Sequence, residues 1–271
     1  MKKEIFRKLI TIGALACAVS ASHAAVVDAW DYTFEMAWTD AVFNTKKHSN
    51  FTSLATPTML SWGREDSLDD YLGKGNQRSS LFITDPHGEG TVLTGSSVSR
   101  VNMFRHTNGY AWQFTSLREV TLSVSVGLSA HGSTVPIETL NKDFKIYFLE
   151  TPNIPGTCAW GTCSDDLLVF AAMPQIYDLI TYDGVDYMFQ YFQTSGPDAI
   201  KMYDADICSM VSGGKLTTSC YGFQTMEAAQ TTLQFGFSIT AVPEPETYAM
   251  LLAGLGIVGV VARRQRDTLR S

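Results

Sequence analysis

The chain has 271 residues, 45% of them hydrophobic and only 17% charged, with 27 acidic against 20 basic residues. That length supports one large β domain or two small ones around a real core, and the low charged fraction argues against wholesale disorder. A net charge of −7 argues against nucleic acid as a partner, because phosphate binding needs basic surface. The charge is also unevenly placed. Between Ala25 and Ala241 there are 12 basic and 23 acidic residues, a net of −11, whereas eight of the basic residues crowd the two ends.

At the N-terminus Lys2, Lys3, Arg7 and Lys8 precede an apolar run from Leu9 to about Ala21, followed by Ser22-His23-Ala24. A positive start, a short apolar stretch and small residues at the −3 and −1 positions predict a secretory signal helix, cut after Ala24 by signal peptidase and read by the secretion machinery. The run falls short of the ~17–25 residues of a membrane span, which argues against a retained anchor. Cys17 raises a lipoprotein alternative, but Ala14 stands where a lipobox wants a larger aliphatic residue.

From Ala25 to Ala241 the pattern is alternation rather than a helical period. Strands are predicted over Asp31–Phe43, Leu81–Thr84, Val98–Phe104, Thr121–Val126, Phe144–Leu149, Asp166–Ala172, Gln175–Tyr182, Val185–Phe192 and Thr232–Ile239. Asp183-Gly184 is the expected two-residue hairpin turn. Further turns are expected at Asp85–Gly88, Thr151–Gly156 and Ser212–Gly214. Many short strands without a strong helix predict an all-β, antiparallel β-sandwich or jelly-roll ectodomain over 25–241.

This ectodomain contains Cys158, Cys163, Cys208 and Cys220. An even count in an exported chain predicts two disulfides, with three connectivities open and local pairing, Cys158–Cys163 and Cys208–Cys220, preferred. The spacings do not make a paired zinc knuckle, and the C-x-x-C of thioredoxin chemistry does not occur.

Three groups of residues are candidates for ligand binding. His106 and Asn108, in a Gly- and Asn-containing turn, can bind a metal or a sugar hydroxyl. Their structural alternative has Asn108 in a left-handed conformation before Gly109, and His106 bonded to a backbone carbonyl. Glu150, Asp165 and Asp166, with Asp204 and Asp206, are the candidates for calcium, which takes six to eight oxygens; no Asp-x-Asp-x-Asp-Gly loop occurs. Glu150 interrupts an apolar strand at its end, where its carboxylate is placed to accept the amides of the Thr151–Gly156 turn. Of Trp30, Trp38, Trp62, Trp112 and Trp160, the last lies between two cysteines and is the best exposed sugar platform; the others read more readily as core. No H-E-x-x-H, G-x-S-x-G or P-loop occurs, so no enzyme is expected and no cofactor is implied beyond calcium.

The C-terminus reads Val242-Pro243-Glu244-Pro245-Glu246-Thr247, then an uncharged apolar stretch over Tyr248–Ala262, then Arg263-Arg264-Gln265-Arg266. The stretch is predicted to be a transmembrane helix, with its arginines cytoplasmic and the ectodomain outside. It contains a literal G-x-G-x-x-G at Gly254–Gly259, but the chain ends within twelve residues of it, so a dinucleotide fold is excluded. The three parts in this order resemble the PEP-CTERM sorting signal. The resemblance implies an exosortase as partner, with recognition at Pro243-Glu244-Pro245, removal of the tail, and export to the surface or matrix of an exopolysaccharide-forming Gram-negative cell. Before that processing, the helix would hold the protein transiently in the inner membrane.

A second resemblance covers much of the ectodomain. Phe148-Leu149-Glu150-Thr151-Pro152-Asn153 with Cys158, Cys163-Ser164-Asp165-Asp166-Leu167-Leu168-Val169-Phe170, and Cys220-Tyr221-Gly222-Phe223-Gln224-Thr225-Met226-Glu227 resemble blocks of the THxN family of PEP-CTERM proteins. That family's Thr-His-x-Asn falls on Arg105-His106-Thr107-Asn108, with arginine in place of threonine. The resemblance brings no established activity. The expectation is a non-enzymatic structural or adhesive component of an exopolysaccharide or biofilm matrix. The alternatives are a carbohydrate-binding module, with or without calcium, that binds extracellular polysaccharide, and an exported hydrolase.

Overall fold

A computed structural model describes residues 25–45, 51–64, 78–109, 115–151, 165–243 and 252–259. Among them, fourteen strands form two seven-stranded sheets. In chain order these are β1 (Ala29–Thr45), β2 (Phe51–Ala55), β3 (Met59–Arg64), β4 (Arg78–Asp85), β5 (His87–Leu93), β6 (Ser97–Thr107) and β7 (Thr115–Ala130). They continue with β8 (Glu138–Leu149), β9 (Asp166–Phe170), β10 (Ile176–Tyr182), β11 (Val185–Gln193), β12 (Lys201–Tyr203), β13 (Cys220–Thr225) and β14 (Gln230–Ala241). One sheet runs β12-β13-β9-β8-β7-β1-β5 and the other β10-β11-β14-β6-β4-β3-β2. Every pairing is antiparallel, so the all-β antiparallel sandwich read from the alternation is the fold.

The period-two rule explains the core directly. Trp30, Phe34, Met36 and Trp38 on β1, and Val120, Leu122, Val124, Val126 and Leu128 on β7, form inward stripes of one sheet. Tyr187, Phe189 and Tyr191 on β11 and Leu233, Phe235, Phe237 and Ile239 on β14 answer from the other. Phe34 lies 5.0 Å from Phe237 and 5.7 Å from Tyr191, ring centre to ring centre, which fixes the spacing between the layers. Trp30, Trp38 and Trp62 are therefore core residues. Trp112 and Trp160 lie outside the described residues.

The Asp183-Gly184 turn joins β10 to β11, and both residues have positive φ, 49° and 79°, as the two-residue hairpin requires. Short strands without clean alternation escaped the sequence reading. β5 carries two glycines within His87–Leu93 and reads as a turn. β13 contains Gly222, where any Cβ would fall 2.2 Å from the Leu168 carbonyl oxygen of the paired β9. Close approach, not a turn, requires that glycine.

A helix α1 (Ala205–Ser212) packs Cys208 and Val211 onto Tyr147, Leu167 and Val169, the face of the first sheet turned away from the main core. Cys208 bonds Cys220, one of the two preferred pairs, and ties this helix to the start of β13. Cys158 and Cys163 lie outside the described residues. The predicted Ser212–Gly214 turn is the end of this helix, with Gly213 left-handed at φ 65°.

The C-terminal transmembrane helix is not what the structure contains. Within the C-terminal stretch the described residues 252–259 are helical. Among the described residues no helix is long and apolar enough to cross a membrane. The transmembrane reading, and the transient membrane anchoring built on it, are withdrawn. The signal at 1–24 lies outside the described residues.

Candidate functional site

At one end of the sandwich several inward stripes stop being apolar. On β8, Phe144, Ile146 and Phe148 point into the core, and the same parity carries Glu150 inward just beyond the strand. On β9 the stripe of Phe170 and Leu168 ends in Asp166, and on β13 that of Phe223 ends in Thr225. On β6, Phe104 is followed by His106 and then by Asn108. The ladders bring these ends together: Thr225 sits opposite Asp166, and Leu149 opposite Leu167. His106, Asn108, Asp166 and Thr225 are each 1% exposed or less, and Glu150 is 6% exposed.

The contacts are sparse for so polar a cluster. Trp62 Nε1 donates to Glu150 Oε2 at 2.9 Å, and its indole stacks on the His106 ring at 6.2 Å. The Thr151 amide donates to Asp166 Oδ1 at 3.2 Å. Asn108 donates its side-chain amide to the Thr225 carbonyl at 2.9 Å, and its backbone amide to Ala229 at 3.0 Å. His106 Nε2 stands 3.8 Å from Asp166 Oδ2, too far for a hydrogen bond. Among the described residues Glu150 Oε1, Asp166 Oδ2, both carboxylate oxygens of Glu227, both His106 nitrogens, and the hydroxyls of Thr151 and Thr225 are buried without a partner.

The electrostatics follow from burial and crowding. Burial holds His106 down to about 3, so the ring is neutral at ordinary pH and forms no ion pair with Asp166. Burial, and then the nearby Glu227, raise Glu150 well above the usual carboxylate range against the Trp62 hydrogen bond. Asp166 is raised likewise by burial and by the charges of Glu150, Glu227 and Asp165. Glu227, on the β13–β14 turn, is pushed up to about 7 by burial and by Asp165. Tyr203, beside Asp165, rises to about 12 for the same two reasons.

The structure thus joins two groups that the sequence kept apart, His106 with Asn108 and Glu150 with Asp165 and Asp166. It also corrects their details. His106 lies within strand β6 rather than in a turn, and bonds no carbonyl. Asn108 is absent from the positive-φ residues, so it takes no left-handed turn. Glu150 accepts from Trp62, and the Thr151 amide goes to Asp166 instead. Asp204 and Asp206 belong to the start of α1. Sequence reasoning missed Trp62 and Glu227. Among the described residues no three His, Cys, Asp or Glu side chains stand together as a ready metal site.

The second functional element begins where the fold ends. Ala241 is the last residue of β14, paired with Tyr187, and the Val242 amide donates to the Asp186 carbonyl at 2.7 Å. Val242 and Pro243 leave the sheet there; Glu244, Pro245, Arg263 and Arg264 lie outside the described residues. Residues 241–266 match the PEP-CTERM protein-sorting motif. The motif supports export and sorting by an exosortase, with a cell-surface or extracellular destination. No curated protein matches the chain. The PEP-CTERM match starts at Ala241, the last residue of the sandwich, so sorting signal and folded domain share a boundary and overlap only at that residue.

Proposed function

We propose that this PEP-CTERM protein is a non-enzymatic structural or adhesive component of an exopolysaccharide or biofilm matrix. On this reading it is delivered by a cleaved N-terminal signal through the secretion machinery of a Gram-negative cell, with 25–241 as the mature ectodomain and 242–271 as the sorting segment. The observation that carries it is the sorting motif abutting the closed β14 strand: an exosortase can act on the tail while the sandwich stays folded. The THxN-like stretches around His106, Cys163 and Cys220 belong to the same reading. The test expresses the full chain with and without an active exosortase, beside a Pro243→Ala, Glu244→Ala variant. Release into the matrix fraction is expected only for the wild-type chain with the enzyme present. Turnover of a glycan or peptide by the purified protein would sink the non-enzymatic part.

A carbohydrate-binding module is the second reading, favoured by the acidic cluster at the strand ends joined by the segment that carries Trp160. Saturable binding to isolated matrix polysaccharide, weakened by Trp160→Ala, would favour it over a scaffold.

A further inference from the structure

Four carboxylates meet at the polar end of the sandwich. Glu150 and Asp166 come from opposite ends of the β8–β9 connection, Asp165 precedes Asp166, and Glu227 reaches in from the β13–β14 turn. None is paired with a lysine or arginine among the described residues. Burying such groups costs several kcal/mol per charge unless each is neutralised or bound.

Acidic clustering alone would leave protonation as a sufficient answer. A second observation points past it. The hydroxyls of Thr151 and Thr225, 6% and 1% exposed, are buried without a partner, and Thr225 lies directly across the ladder from Asp166. A neutral carboxyl is itself a donor and would ordinarily bond such a hydroxyl. Here these hydroxyls and the free carboxylate oxygens of Glu150, Asp166 and Glu227 are buried at one end of the sandwich without bonding one another. A hard cation uses that chemistry, since it is coordinated by carboxylate, hydroxyl and carbonyl oxygens together.

We propose that this end of the sandwich binds a divalent hard cation, calcium, through Glu150, Asp166 and Glu227, with Asp165, Thr151 and Thr225 completing an oxygen shell. The carboxylates must draw in around the ion, because no ready three-residue metal site exists among the described residues. Glu227 supplies the movement. It sits on a tight turn closed by the Ala229 amide on the Met226 carbonyl, its residue is only part-buried, and its carboxylate already points inward. His106 stays outside the shell as a neutral aromatic wall, stacked on Trp62.

The Trp62 indole bonded to Glu150 provides the test. Terbium, a luminescent stand-in for calcium, should emit when the tryptophans of the oxidised full-length protein are excited, with saturable binding and displacement by calcium. Trp62→Phe should dim the emission while calorimetric terbium affinity is retained. Glu227→Gln, which alters a turn and leaves the core intact, and Asp166→Asn should each weaken affinity about tenfold or more, as expected when a charged ligand is lost. Emission that neither variant changes would overturn the site. So would an absence of saturable binding in a protein whose circular dichroism shows the folded sandwich. Displacement by zinc and not by calcium would overturn the choice of cation.

Discussion

The two ends of this sandwich are built by one rule and finished differently. At the Trp30 end the inward stripes close on aromatics, and their polar tips have partners. Trp30 Nε1 donates to Thr94 Oγ1 at 3.0 Å, the Val27 amide donates to the Tyr187 hydroxyl at 2.8 Å, and Thr94 donates to the Val27 carbonyl. Trp30 meets Tyr187 edge-on at 4.8 Å. At the His106 end the same alternation delivers two carboxylates that each keep one oxygen unbonded, and a neutral imidazole and two hydroxyls that have no partner at all. One end is finished for stability. The other carries buried acids that cost stability, which is the physical mark of a site.

Substitutions separate the two ends by sign. Trp30→Ala removes a fully buried indole and its hydrogen bond, and should lower the free energy of urea unfolding by about 3–5 kcal/mol. Breaking the Cys208–Cys220 tether with paired serines should cost about 2–4 kcal/mol and release α1 from the flank of the first sheet, near the polar end. At that polar end Glu150→Gln with Asp166→Asn should instead stabilise the chelated protein at pH 8, by about 1–3 kcal/mol, because neutral amides replace two acids that are ionised in the unfolded chain and costly to bury, while the Trp62 acceptor is kept. A loss of that size would erase the contrast. His131→Gln, on the exposed Asp31 pair at the Trp30 end, should leave the melting temperature unmoved.

The pH dependence follows from the same groups. In the fold Glu150, Asp166 and Glu227 hold protons at pH values where the unfolded chain has lost them, so stability from this end is full below the unfolded values of 3.8 for Asp166 and 4.5 for the two glutamates. It should decline as pH rises from there through about 7, where Glu227 ionises, with the raised Glu150 and Asp166 adding to the loss in the same direction. His106 acts oppositely, since its depressed value costs stability as pH falls from 6.5 toward about 3. Three carboxyls outweigh one imidazole between 4.5 and 7. Chelated protein should therefore weaken with rising pH over that window, and Glu227→Gln should flatten the slope.

The strands were legible wherever alternation ran for six residues or more, as on β7, β11 and β14, because one face is buried and the other is not. They were illegible where glycine served close packing, as at Gly222, or where a short strand carried glycine and charge, as in β5. The site was half legible. Glu150 stood out as a charge at the end of an apolar run, and extending the parity of Phe144, Ile146 and Phe148 by one step places it inward. Glu227 gave no such signal, because an acid in a turn looks the same in sequence whether its carboxylate faces solvent or core. The meeting of His106 with Asp166 depends on two sheets facing each other, which local pattern does not encode.

The most direct test is the melting temperature of the oxidised protein at pH 8, measured in excess EDTA and again through a calcium titration. Calcium at a hundredfold its dissociation constant should add ~2.7 kcal/mol, a rise of about 5–10 °C for a domain of this size. That rise should vanish in Glu227→Gln. A melting temperature indifferent to both EDTA and calcium would contradict the account, and would make the acidic end a buried proton store rather than a cation site.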